Sequence, residues 1–127
     1  MTLAQGPEPA PDDASRVLRV GALEIDRDGL CISVGGVRMA LPRREFEVLL
    51  VLAENAGRVL PARLLLDRVW GPGFVDGSGT LKVHVNRIRR RITGVLGVDY
   101  IRTVRGLGYS LDPDLARGRS ASRQHQR

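Results

Sequence analysis

The sequence contains few of the residues on which disulfides, thiolate metal sites and aromatic stacking surfaces depend. Its 127 residues include one cysteine, Cys31, which excludes an intrachain disulfide and predicts a small buried side chain. Aromatic residues make up 4% of the chain, and this disfavours the stacking surfaces that read single-stranded RNA. No apolar run approaches the roughly 20 residues of a membrane-spanning helix, so no membrane partner is expected.

Signatures of catalysis and export are also missing. The sequence has no Ser or Cys nucleophile motif, no paired carboxylates and no glycine-rich phosphate loop, which disfavours an enzyme. Its two histidines, His84 and His125, are far apart in sequence, so neither a metal site nor a cofactor is expected. The N-terminus lacks the basic and apolar regions of a secretory signal, which predicts a cytoplasmic protein.

Basic residues are in excess, with 20 Lys and Arg against 14 Asp and Glu and a net charge of +6. Such a balance favours a polyanionic partner. The length suits one domain with a modest core. Composition predicts a disordered segment over 1–16, a folded domain over 17–111 and a basic disordered tail over 112–127, which adds weak attraction to phosphates.

The domain is predicted to begin with a small antiparallel sheet. Short alternating runs extend from Val17 to Leu41, and Gly35-Gly36 is a strong hairpin signal. Its inward face is predicted to comprise Leu23, Ile25, Ile32, Val34 and Leu41.

Three helices are predicted next, over about 42–55, 61–69 and 79–95. Pro42 and Pro61 suit a first helical turn, and Gly57 suits the left-handed position after a helix. The buried faces of the first two are predicted to comprise Phe46, Leu49, Leu50, Ala53, Leu64, Leu65 and Val69. Between the second and third helices, the turn-rich loop 71–79 is expected to expose Phe74 and Val75.

The third helix, TLKVHVNRIRRRI, has two dissimilar faces. Its apolar positions recur at helical spacing and are Leu81, Val85, Ile88 and Ile92. The side opposite this stripe includes Gly79, Val83, Asn86 and Arg90, while Lys82 and Arg87 lie at its margins. One face requires a protein core, while the donors opposite suit phosphate oxygens and base edges. A merely solvated basic face is the alternative at this point.

A basic hairpin, about 99–111 and here called the wing, comes after this helix. Gly106 and Gly108 are expected to supply the positive φ angles of its tight turn, with Arg105 near the tip. Ile101 and Val104 break the alternation, which predicts a bulge or bend. A helix with a basic outer face and a wing directly after it is typical of DNA recognition.

Several motifs together resemble the OmpR/PhoB-type winged-helix effector domain of bacterial response regulators. They are LPRREF at 41–46, GRVL at 57–60, LLLDRVWG at 64–71, VHV at 83–85, RIR at 87–89 and TVRGLGY at 103–109. The resemblance implies an α+β winged helix-turn-helix with an N-terminal antiparallel sheet, three helices and a C-terminal β-hairpin wing.

The resemblance also implies roles for individual residues. Arg87 resembles a base-reading position in the major groove, and Arg105 a minor-groove contact. The family positions that contact phosphates are matched by Thr80, His84, Arg89 and Thr103. The full set of implied DNA contacts is Thr80, Lys82, Val83, His84, Asn86, Arg87, Arg89, Arg90, Thr103 and Arg105. The loop with Phe74, Val75 and Asp76 corresponds to one that contacts RNA polymerase in relatives. Trp70 either packs as a core anchor or approaches the DNA backbone.

The sequence departs from the family pattern at four positions and in its length. Pro42 and Pro61 stand where Thr or Ser is usual, Gly79 where Arg is usual, and Lys82 where Asp is frequent. The altered donors predict a different recognised sequence. The receiver domain of response regulators is absent, which fits either an excised effector domain or a receiver-less protein.

The expected function is sequence-specific binding of double-stranded DNA and transcriptional regulation at the nucleoid. The alternative is a protein-interaction module that contacts RNA polymerase or another regulator through the loop 71–79. The free protein is expected to be monomeric and to pair in tandem on DNA. The operator, the regulated genes, the sign of regulation and the upstream signal do not follow from the sequence.

Overall fold

The computed structural model describes residues 16–113. The predictions for 1–15 and 114–127, including the basic tail and His125, therefore lie outside the described residues. The helices are α1 (Arg43–Glu54), α2 (Ala62–Val69) and α3 (Thr80–Leu96). The strands are β1 (Val17–Val20), β2 (Leu23–Asp26), β3 (Cys31–Val34), β4 (Val37–Ala40), β5 (Leu60–Pro61), β6 (Ile101–Val104) and β7 (Gly108–Leu111).

The N-terminal sheet is an antiparallel meander in the order β1-β2-β3-β4, as the sequence predicts. Gly35 and Gly36 have φ angles of 55° and 88° and close the β3–β4 hairpin between Val34 and Val37. All five side chains predicted to face inward are buried. Cys31 was expected to be buried but is only half-buried, because it alternates with buried Ile32 and shares the outer face with Arg38, which lies 3.3 Å from its sulfur.

Each of α1 and α2 begins one residue later than predicted, directly after a proline. Pro42 and Pro61 occupy the N-cap itself, with extended backbone angles and a side chain that cannot accept a hydrogen bond. Their fixed φ angles of −56° and −60° match the entry into a helix and partly replace the missing cap. Gly57 has the expected left-handed conformation beyond α1, with φ of 88°.

Helix α1 lies at the centre of the core, so more than one of its faces is buried. It contacts α2, α3, β1 and β7. Val48 and Leu52 are completely buried although only Phe46, Leu49, Leu50 and Ala53 were predicted, and Leu50 is half-buried. In α2, Leu66 is buried and the predicted Leu64 is half-buried.

The wing forms a three-stranded sheet with β5, in the order β5-β7-β6. Its strands pair without interruption from Ile101–Leu111 to Val104–Gly108, so the predicted bulge is wrong. Gly106 has the expected positive φ of 78°. Gly108 does not, and the reason for glycine there is a close approach to the Leu60 carbonyl.

Candidate nucleic-acid interface

Helix α3 has the two faces that the sequence predicts. Its apolar stripe is buried, consisting of Leu81, Val85, Ile88 and Ile92. Lys82, Arg87 and Arg90 are exposed on the other side, and Asn86 is half-buried. Val83 is also exposed among these donors. The described part of the chain therefore presents a basic helix surface whose orientation is fixed by the core.

The start of α3 is held by a residue four positions upstream. The Asp76 carboxylate accepts hydrogen bonds from the Thr80 N–H at 2.6 Å and the Leu81 N–H at 3.0 Å. Gly79 occupies the N-cap with a left-handed φ of 74°, which lets the chain turn between Asp76 and the helix. The pKa of Asp76 is lowered from 3.8, chiefly by the Leu81 N–H and further by Thr80, against the opposing effect of desolvation.

Asp76→Ala is expected to lower the free energy of unfolding by about 1 kcal/mol at neutral pH, the usual cost of losing a helix cap. Because the folded-state pKa is below 3.8, the stabilisation is complete well above that pH. It is lost as the pH falls through the lowered folded-state pKa. Urea unfolding of wild type and variant between pH 2 and pH 7 measures the difference.

Asp28→Ala is the matched control, since it removes an exposed turn carboxylate away from any helix start. It should change stability by less than about 0.5 kcal/mol at every pH. A difference between Asp76→Ala and wild type that stays constant down to pH 2 would show that the carboxylate charge does not stabilise α3.

Three rings pack together between α2 and α3. Trp70 stacks on Phe74 with ring centroids 5.6 Å apart and lies perpendicular to the His84 ring, with centroids 5.1 Å apart. The His84 Nδ1 lies 2.8 Å from the Thr80 carbonyl oxygen, and Arg44 covers the Trp70 ring at 5.8 Å. Phe74 was expected to be exposed, but it packs against the core through Trp70. Val75 beside it is 82% exposed, as predicted.

Arg89 bridges from α3 to the wing. Its Nη2 donates to the Ile101 carbonyl at 3.0 Å and to the Thr103 hydroxyl at 2.8 Å. Its Nη1 donates to the Asn86 side-chain oxygen at 3.2 Å. The buried Nε lies 3.1 Å from Asp99 Oδ2 as an ion pair without hydrogen-bond geometry.

The wing turn places Arg105 and Leu107 at an exposed tip, and Leu107 is 63% exposed. A cleft of about 400 Å³ separates the tip from α3 and is lined by Lys82, Thr103 and Arg105 among others. Arg102 is exposed on β6 and was not among the predicted contacts. Its place in the basic hairpin after α3, three residues before Arg105, was the signal available in the sequence.

The family model for the C-terminal domain of transcriptional regulatory proteins matches residues 36–111. The chain belongs to this family of DNA-binding domains. Its winged helix-turn-helix, with the N-terminal sheet, three helices and C-terminal hairpin, is the fold of its structural neighbours.

Relatives of this OmpR/PhoB-type domain include sensory transduction proteins and response regulators. The chain is 40% identical over 111 residues to the sensory transduction protein RegX3 of Mycobacterium leprae, covering 87% of this chain and 56% of that protein. It thus spans about half the length of such relatives. The response regulator DrrB of Thermotoga maritima, an OmpR/PhoB homologue, matches with a TM-score of 0.66 and 32% identity, covering 87% of this chain and 50% of DrrB.

A solved DNA complex also has this fold. The DNA-binding domain of Klebsiella pneumoniae RstA, in complex with the RstA box, matches with a TM-score of 0.67 and 28% identity. The match covers 77% of this chain and 98% of the RstA domain. Within residues 16–113, no helix of the OmpR/PhoB-type domain is long and apolar enough to cross a membrane. The same residues contain no cluster of His, Cys, Asp or Glu fit for a metal ion.

Proposed function

We propose that this domain regulates transcription by binding a specific double-stranded DNA sequence, with α3 in the major groove and the wing in the adjacent minor groove. The proposed direct contacts are Thr80, Lys82, Val83, His84, Asn86, Arg87, Arg90, Thr103 and Arg105. A cytoplasmic location at the nucleoid follows from this partner, and the proposal includes no catalytic role.

The observation that carries this proposal is the orientation of α3. Its apolar stripe is anchored in the core, so the exposed donors of Lys82, Arg87 and Arg90 form the outer surface of a rigid helix. A B-DNA major groove, about 12 Å wide, admits such a helix. Arg105 lines the cleft between α3 and the wing tip, and a narrow minor groove would attract an arginine at this tip. The RstA complex supports the same use of the fold.

Arg87→Ala is expected to reduce affinity for a selected DNA site by about 1–3 kcal/mol, the usual loss of one bidentate base contact. The loss on scrambled DNA should be much smaller, because nonspecific binding depends on phosphates. Fluorescence anisotropy at one fixed salt concentration, with a site selected from random DNA, measures both affinities.

Arg19→Ala is the matched control, because Arg19 is an exposed arginine on β1 that pairs with Glu24. It should leave both affinities within about twofold of wild type, as expected for a surface position outside the interface. Equal losses on selected and scrambled DNA in Arg87→Ala would assign Arg87 to phosphate contact. Equal affinity of the wild type for both DNAs would contradict sequence-specific binding.

We further propose that the free domain is a monomer and that two copies bind direct repeats about one helical turn apart. Sedimentation of the free protein should show one copy. Titration should then show tighter binding to paired half-sites than to one half-site. A stable dimer in the absence of DNA, or full affinity for one half-site, would contradict this arrangement.

We propose as a second function that the loop 71–79 contacts RNA polymerase. Fewer side chains of this loop are available for such a contact than the sequence predicts. Phe74 is stacked on Trp70, and both carboxylate oxygens of Asp76 accept hydrogen bonds from the start of α3. Val75 is the strongly exposed apolar side chain of this loop. A polymerase surface would therefore meet Val75 and the backbone around it.

A further inference from the structure

Arg89 connects the two parts of the proposed DNA-binding surface, and the role inferred for it rests on the proposed function. A guanidinium has five N–H donors. Both donors of Nη2 are used, by Ile101 and Thr103, and one donor of Nη1 is used by Asn86. The Nε donor faces Asp99 and is buried.

Three of the five donors make hydrogen bonds and the buried Nε makes none, so one Nη1 hydrogen is the donor left for a further partner. A phosphate is most strongly bound by an arginine that offers two parallel N–H groups. The charge of Arg89 is also offset by Asp99 at 3.1 Å, and the Arg89 side chain is only 26% exposed. Arg89 is thus poorly equipped for the phosphate contact that the family resemblance implies.

The partners of Arg89 belong to different parts of the proposed interface. Asn86 lies one turn earlier on α3, while Ile101 and Thr103 lie on the first strand of the wing. Asp99, in the connection between them, also accepts a hydrogen bond from the Ile101 N–H at 3.1 Å. The Arg89 side chain therefore links α3, the connection 97–100 and the wing.

We propose that Arg89 is a positioning residue that sets the angle between α3 and the wing, so that Arg105 reaches DNA when Arg87 is seated. Losing Arg89 then weakens binding by uncoupling the two contacts rather than by removing a phosphate partner. This arrangement predicts a strong energetic coupling between Arg89 and Arg105, which a direct phosphate contact does not.

A double-mutant cycle tests this coupling in the intact chain with a selected DNA site. Arg89→Gln should weaken binding about tenfold in the wild-type background, and a loss of this size is within the range measured between coupled sites. In the Arg105→Ala background the same substitution should weaken DNA binding by less than about twofold, because the wing contact is already lost. Equal losses in both backgrounds would overturn the proposal.

The salt dependence of binding distinguishes a positioning role from a direct phosphate contact. Loss of a phosphate contact reduces the magnitude of the log–log salt slope by about 0.9 in any background. The positioning role predicts that Arg89→Gln leaves the slope of the Arg105→Ala variant unchanged. A fall of about 0.9 in that background would assign Arg89 to phosphate.

Thr103 provides a second pair of variants that retain the Arg89 charge. Thr103→Val removes the hydroxyl acceptor and Thr103→Ser retains it; because Thr103 is itself a proposed DNA contact, both variants are compared in the free protein. In the free protein, amide exchange should accelerate in β6 and β7 for Arg89→Gln and Thr103→Val and stay unchanged in β1–β4. Unaltered exchange in the wing would overturn the proposal.

These outcomes separate the inference from the proposed function. If the wild type does not discriminate selected from scrambled DNA, the proposed function fails, and amide exchange alone decides whether Arg89 positions the wing. If the wild type discriminates but the cycle is additive, the proposed function stands and the positioning role fails. If Arg89→Gln does not fold, amide exchange in the free Thr103→Val and Thr103→Ser proteins decides, with faster exchange in the wing expected for Thr103→Val alone.

Discussion

Arg91→Ala is expected to lower the free energy of unfolding by about 3 kcal/mol, since removing one partner of a buried ion pair leaves the other charge unpaired. Glu45 on α1 is 2% exposed, and its Oε1 accepts a hydrogen bond from the Arg91 Nε at 2.8 Å. The Arg91 side chain is 35% exposed, so water offsets part of the loss. Urea unfolding at neutral pH measures the change.

Arg90→Ala is the matched control, because it removes the adjacent arginine from the exposed side of the same helix. It should change stability by less than about 0.5 kcal/mol. The double variant Glu45→Leu with Arg91→Met should lie within about 1 kcal/mol of wild type, since apolar replacement of a buried pair is often neutral. Similar losses for Arg90→Ala and Arg91→Ala would show that the ion pair contributes nothing specific.

Local patterns were sufficient to predict most of the fold. The stripe of α3 follows from the spacing of its apolar residues, and the β3–β4 hairpin from Gly35-Gly36, because both depend only on backbone geometry over a few residues. Periodicity was less informative for α1. That helix is packed on several sides, so Val48 and Leu52 are buried outside the single predicted face.

The features that local patterns miss are contacts between distant segments. Glu45 and Arg91 are 46 positions apart, and nothing near either residue indicates the pairing. Arg89 shows the same limit at the candidate interface. Its sequence position matches a phosphate contact, but its donors are directed at the wing strand that the fold brings alongside. The family resemblance assigned Asp76 to a partner-binding loop. Its hydrogen bonds to the start of α3 were not predicted, because a cap four residues before a helix has no simple sequence signature.

Gly108→Ala is expected to destabilise the protein by about 3 kcal/mol, at the upper end of the usual cost of overpacking. A Cβ at this position would overlap the Leu60 carbonyl oxygen and stand 2.9 Å from Pro61 Cα. These are backbone atoms of β5, which pairs with β7 at Leu60–Tyr109 and Pro61–Gly108. Relief therefore requires β5 and the wing to separate, and thermal unfolding should show a large fall in Tm.

Gly94→Ala is the matched control for this substitution, because a Cβ on Gly94 meets no heavy atom within 4 Å among the described residues outside its own helix turn. Gly94 lies inside α3, where Ala is favoured over Gly by roughly 0.5–1 kcal/mol, so this variant should be more stable than wild type. The two Gly-to-Ala changes thus have opposite expected signs. Because β5 joins the wing to the start of α2, Gly108→Ala should also accelerate amide exchange in β7 more than in β1–β4. A Gly108→Ala protein as stable as wild type would show that the wing does not need this close contact with β5.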